Sequence, residues 1–203
     1  MCCILLLVSC SDSESNNNVI KLPAKDTVAI QQVAANPYVP VDLSPMDISY
    51  LPDDYPILKM TNKIKTPPVA RVIYSRPHRQ GRKILGSLLK YGEPWRLGAN
   101  ESTELDVFQP LSINKKNIPV GRYVLYCIPE PDSWTIVFNS NLDCWGLKQD
   151  STKDLYRFKI PVTIKNQSVE YFSMVFQPAA SGTADLVMAW DNVEARLPVQ
   201  YKQ

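Results

Sequence analysis

Arginine, tryptophan, asparagine and glycine crowd into one stretch of this chain, residues 74–104, YSRPHRQGRKILGSLLKYGEPWRLGANESTE. Arg76, Arg82 and Arg96 carry planar forks of donors that match a carboxylate or a phosphate. Trp95 adds an aromatic platform, and Asn100 and Glu101 add planar polar groups, the combination by which proteins hold carbohydrate. Glycine at four positions gives the intervening backbone shapes that other residues resist. Arg76, Arg82, Trp95, Arg96, Asn100 and Glu101 are therefore the candidate binding residues, for a glycan or an anionic small molecule. The same residues have a second reading. An arginine here can be a buried tie, paired with Glu101 or bonded to loop carbonyls, that locks a glycine-rich corner. His78, Arg79 and Lys83 read as a solvated cluster.

Reactive chemistry finds less support. Zinc needs three or four His, Cys, Asp or Glu ligands, and His78 is the sole histidine. A serine hydrolase needs nucleophile, base and orienter. Ser75 and His78 are three residues apart, which on a strand puts them on opposite faces, and there is no G-x-S-x-G elbow. Glu104 and Asp106 share a strand face about 6–7 Å apart, with Glu101 near, so a carboxylate-based hydrolase with His78 is the alternative reading. A solvated outer face explains the same pair. No GxGxxG or phosphate-cradling loop occurs, so no cofactor is expected. A third reading is an interaction subunit of an envelope complex.

The elements that must position these groups read as strands. Seventeen prolines stand against seven glycines, which disfavours long helices. MDISYL and YPILKM are short strand-like runs, and 69–74 is a fuller one. Residues 103–108 alternate, with Leu105 and Val107 on one side and Glu104 and Asp106 on the other. Residues 121–128 and 134–139, joined through PEPDS, form a hairpin. Further strands are expected at 156–164, 169–177, 184–190 and 193–199. The expected fold is all-β: an antiparallel β-sandwich, jelly-roll-like or Greek key, over residues 45–203, with an irregular N-terminal arm. Cys127 and Cys144 are the body's two cysteines, as a bridge or as free thiols. The chain has 203 residues, 45% hydrophobic and 21% charged, with a net charge of +2. That charge is too mild for a nucleic-acid partner.

The first nine residues are apolar and too short to span a membrane. Leu7-Val8-Ser9-Cys10 resembles a bacterial lipobox, so 1–9 reads as a signal peptide and Cys10 as the lipidated residue that anchors the protein to a membrane. No Lys or Arg lies between Met1 and Cys10, which points to a basic segment upstream of the given start. Residues 10–44 follow as a polar tether, SDSESNNN, and an extended arm. The acidic tether resembles the surface-export signal of Bacteroidetes lipoproteins. The expected location is the bacterial cell envelope, at the outer membrane.

The order Tyr74-Ser75-Arg76-Pro77, Gly81-Arg82, Gly86, Tyr91-Gly92, Trp95-Arg96, Gly98-Ala99-Asn100-Glu101 and Thr103 resembles the bacterial family DUF2911, a domain of unknown function common in Bacteroidetes. Pro119, Gly121, Tyr123, Leu125, Ile128-Pro129, Trp134 and Trp145-Gly146 continue the likeness. The resemblance implies a secreted or lipidated β-rich domain and carries over no catalytic residues. Some members bear the name asparagine synthetase B. This chain shows no ATP-binding loop, and a lipidated Cys10 has no free amine to serve as an N-terminal nucleophile.

Overall fold

The computed structural model describes residue 38 and residues 42–202. The expected signal segment, Cys10, the expected tether and most of the expected N-terminal arm lie outside the described residues. The chain divides into Met1–Pro40 and Val41–Gln203, and all of the described strands belong to the second unit.

That unit is all-β and antiparallel. Its strands are β1 (Met46–Leu51), β2 (Ala70–Ser75), β3 (Thr103–Val107), β4 (Leu111–Ile113), β5 (Lys116–Ile118), β6 (Gly121–Pro129), β7 (Ser133–Asn139), β8 (Asp154–Pro178) and β9 (Thr183–Tyr201). They form one open sheet in the order β1-β2-β3-β6-β7-β8-β9-β4-β5. The alternation expected in β3 is observed: Thr103, Leu105 and Val107 are buried, while Glu104 and Asp106 are partly exposed. The hairpin expected around PEPDS is β6–β7, with Cys127 opposite Ile136. Both cysteines are free thiols.

The structure departs from the sequence expectations in three places. YPILKM is a helix, α1 (Tyr55–Met60), and not a strand. Pro56 supplies the fixed φ of a first helical turn, where a missing N–H costs nothing. No residue of α1 is buried, so its apolar side chains do not mark a core strand. The four short strands expected beyond residue 156 fuse into the long β8 and β9, because register shifts between Ile164 and Ser173 bend the ladder without ending it. The β4–β5 hairpin has no counterpart among the expected strands. Its two-residue turn, Asn114-Lys115, has φ of 51° and 65°, the left-handed pair of a type I′ turn.

β8 is the strand that encloses the core. Its residues 154–161 pair with β7, and from Val162 onward it pairs with β9. On its free side the second half meets the chain leaving β2. The Phe172 N–H donates to Pro77 O at 3.0 Å, and the Arg79 N–H donates to Glu170 O at 2.7 Å. Further along, the Phe176 N–H donates to Ser49 Oγ at 2.9 Å, which ties β1 to β8. The sheet's early strands and the far half of β8 thus face one another across a shared core. Tyr74 meets Phe172 edge-on at 5.7 Å. Trp95 packs on Phe172 at 4.9 Å, on Trp190 at 5.7 Å and on Trp134 at 5.8 Å. Aromatic pairs at such distances contribute about 0.5–1.5 kcal/mol each beyond their area burial.

Candidate functional site

The glycine- and arginine-rich stretch runs from the end of β2 to the start of β3, and its backbone is held at both ends. Past Ser75 the chain docks on β8 through Pro77 O and the Arg79 N–H. Near its other end Trp95 exchanges two backbone hydrogen bonds with Cys127 of β6, each 2.7 Å. Trp95 thus bridges β6 just beyond the point where β3 stops. Extended pairing sends neighbouring side chains to opposite sides, so Trp95 enters the core and Arg96 faces outward. Thr103 Oγ1 donates to Leu97 O at 2.7 Å and secures the turn into β3. Gly98 lies so close to β2 that a Cβ there would sit 3.1 Å from Ser75 O.

The loop carrying Trp145-Gly146 covers this segment. Gly146 has φ +76°, and a Cβ would fall 2.5 Å from Ser102 Oγ and 3.2 Å from Arg96 Cβ. Ser102 Oγ donates to Cys144 O at 2.8 Å. Only glycine lets the two loops meet this closely, and their meeting forms one wall of a concavity of ≈ 370 Å³ lined by Arg82, Trp95, Arg96, Leu147 and Trp190 among others.

The six candidate residues do not all share that concavity. Arg82, Trp95 and Arg96 line it. Trp95 does so from the core: it is 7% exposed, and its Nε1–H donates to Gly98 O at 3.1 Å, so its face is spent on packing. Arg76 lines a neighbouring hollow with Asp42, Leu43, Pro45, His78 and Tyr171. It pairs with Asp47 at 3.3 Å and lies over the Tyr171 ring at 5.8 Å. Its Nε is buried without a partner among the described residues. Asn100 donates to Asp42 Oδ2 at 3.0 Å and holds a left-handed φ of 57°. Glu101 lines a third hollow with Met46, Glu104, Asp143, Cys144 and Trp145.

The basic residues divide into two groups. Arg79, expected in a solvated cluster, is a clamp: its Nη1 lies 3.0 Å from Glu170 and its Nε 3.1 Å from Asp191. Asp191 has φ 53° and pairs with Val169 at the register shift, so the clamp holds the bulge between β8 and β9. His78 stacks on Tyr171 at 4.4 Å and lies 3.3 Å from Glu170. These groups staple the motif to the sheet. Arg82 and Arg96 differ, because neither has a carboxylate partner among the described residues. Arg82 donates to the carbonyls of Arg79 at 2.9 Å and His78 at 2.5 Å. Among the described residues the Arg96 side chain reaches only Trp145 O, at 3.4 Å. Burial holds the Arg96 guanidinium below its ordinary pKa, the expected effect of removing a cation from water without an anion beside it.

The carboxylates on β3 are engaged. Asp106 accepts from Arg71 Nε at 2.6 Å, and Glu104 is bound by the fork of Arg122 through Nε and Nη2. His78 lies in the hollow beside Arg76, and Glu104 in the one beside Glu101. A larger hollow of ≈ 700 Å³ lies at Phe108, Leu111, Ser112, Gln200 and Tyr201 and contains none of the motif residues. Among the described residues there is no cluster of His, Cys, Asp or Glu that could hold a metal ion.

Sequence reasoning singles out Arg82 and Arg96 but misses Leu147 and Trp190, which complete the concavity from distant parts of the chain. Trp145-Gly146 is the available signal, as a glycine beside an aromatic residue in an otherwise polar loop.

The molecule is thus an antiparallel β protein with a guanidinium-lined concavity beside an aromatic core. The chain belongs to the family of proteins of unknown function DUF2911, whose family model matches residues 56–199. No curated protein and no solved structure matches the chain.

Proposed function

We propose that this protein is a non-enzymatic binding module of the bacterial cell envelope, tethered to the outer membrane through lipid on Cys10, that holds a glycan or another anionic ligand in the concavity of Arg82 and Arg96. One observation carries the reading: two guanidinium groups line a single concavity, and no carboxylate among the described residues neutralises either. Arg82 is exposed, but Arg96 is partly buried without an anion, a cost to the fold that an anionic guest would offset by a charge-assisted pair. The concavity's ≈ 370 Å³ lies within the usual range of small-ligand sites. The β3 carboxylates are occupied by Arg71 and Arg122, so no observation favours a carboxylate-based hydrolase.

The test is a thermal-shift screen of uronates, sugar phosphates and simple carboxylates against the wild type and Arg96→Ala. Binding raises the melting temperature of the wild type and leaves the variant unmoved. If no ligand shifts the wild type while Arg96→Ala melts far lower, the corner is a structural tie.

A further inference from the structure

The lining of the Arg82–Arg96 concavity divides sharply by chemistry. Its polar side-chain groups among the described residues are the two guanidiniums, the Ser44 hydroxyl and two indole N–H groups that already donate to Gly98 O and Glu170 O; no Asp, Glu, Asn or Gln takes part. Sugar hydroxyls both donate and accept, so a glycan site needs acceptors as well as donors. Three of the nearby carbonyls each already accept a hydrogen bond. Gly98 O accepts from Trp95 Nε1, Gly146 O from Gln149 Nε2 and Leu89 O from the Gly86 N–H. Sugar rings also seek an open aromatic face, and the indoles here are packed away, Trp95 at 7% and Trp190 at 3% exposure. The concavity presents aliphatic surface to solvent instead: Leu88 is 47% and Leu147 73% exposed. Two guanidiniums, with one hydroxyl as the side-chain acceptor beside them, set in an apolar wall, complement an acceptor-only head on an apolar body.

We infer that the occupant is an amphipathic carboxylate, its head group on the Arg96 fork and its hydrocarbon against Leu88 and Leu147. This rests on the proposed binding role of the concavity and narrows it. Arg82 already commits Nε and Nη2 to backbone carbonyls, which leaves Arg96 as the fork open to a two-oxygen head. A singly charged head suits that single open fork, and the apolar wall supplies the remaining affinity by excluding water.

The experiment is titration calorimetry on the unlipidated full chain, with octanoate, 1-octanol, glucuronate and inorganic phosphate as probes. Octanoate is expected to bind at least about tenfold more tightly than each of the other three. Arg96→Met keeps the aliphatic stem and removes the charge; Leu147→Ser alters a side chain too exposed to affect folding. Each is expected to weaken octanoate about tenfold. Glucuronate or phosphate binding as tightly as octanoate, and lost in Arg96→Met, overturns this inference and leaves the binding module standing. Octanoate binding indifferent to both substitutions marks adsorption to apolar surface and overturns the inference. If neither octanoate, glucuronate nor phosphate binds, this inference and the binding module fall together.

Discussion

Trp95 and Arg96 are neighbours with opposite tasks. Backbone pairing with Cys127 turns the indole inward and the guanidinium outward, so one dipeptide joins the core to the concavity. The consequences of substitution should separate accordingly. Trp95→Ala leaves a large void among Phe172, Trp134 and Trp190 and is expected to cost about 3–5 kcal/mol in chemical denaturation. A loss below about 1 kcal/mol would mean that the indole is not part of the core. The residue types of the motif are legible from sequence, and so is the ambiguity between tie and ligand site. The assignment to one or the other is not. Arg79 is held by Glu170 and Asp191, and Arg76 pairs with Asp47, all from other strands, and nothing within residues 74–104 announces those partners. Arg96 is distinguished by the absence of such a partner among the described residues, which only the fold can display.

At the scale of elements, the staple between the chain leaving β2 and the bulged middle of β8 and β9 sets the position of the whole motif. Arg79 bridges Glu170 and Asp191 there, and the three groups act as a small network rather than an isolated surface pair. Arg79→Ala should therefore destabilise the domain by about 1–2 kcal/mol while leaving ligand affinity within about twofold, as read by denaturation and calorimetry. A larger loss of affinity than of stability would place Arg79 in the site. A second element-level consequence concerns pH. Tyr74, at the end of β2, has its phenol pushed up to about 12, chiefly by burial. Its proton is retained in the folded chain while the unfolded chain loses it near pH ~10. The unfolded state then binds fewer protons, so stability is intact below about pH 10 and falls as pH rises toward about 12. Tyr74→Phe should flatten that alkaline decline in urea titrations; an unchanged slope would contradict it. Strand periodicity identifies β1, β2, β3, β6 and β7, because each is bounded by turn residues. It divides β8 and β9 into four, since the exposed run 164–168 has the composition of a turn while remaining in the strand. It reads α1 as a strand because a six-residue apolar run carries no period long enough to distinguish the two.

Across the whole molecule, the antiparallel all-β architecture is legible because proline-rich, short-period segments leave few alternatives. The closure through β8 is not, since it depends on which strands meet across the core. Membership of the DUF2911 family is legible from the spacing of glycine, arginine and tryptophan. The structure gives that spacing a physical content: Trp95 in the core, Gly98 against β2, and Gly146 against Arg96 and Ser102. The proposed membrane anchor belongs to the same scale. Palmitate labelling in the native host should disappear in Cys10→Ala and processing of the precursor should be blocked by globomycin; labelling that survives the substitution would reject the anchor. The proposed organisation is a tethered β scaffold whose motif is pinned on one side and offers an unneutralised guanidinium on the other.

The melting temperature of Arg96→Met without ligand tests that organisation most directly. If Arg96 is a cation held in a partly buried wall for a guest, removing its charge relieves a desolvation cost, and the variant melts at or above the wild-type temperature. A fall of several degrees would show that Arg96 holds the corner together, and the binding account would fail at its central residue.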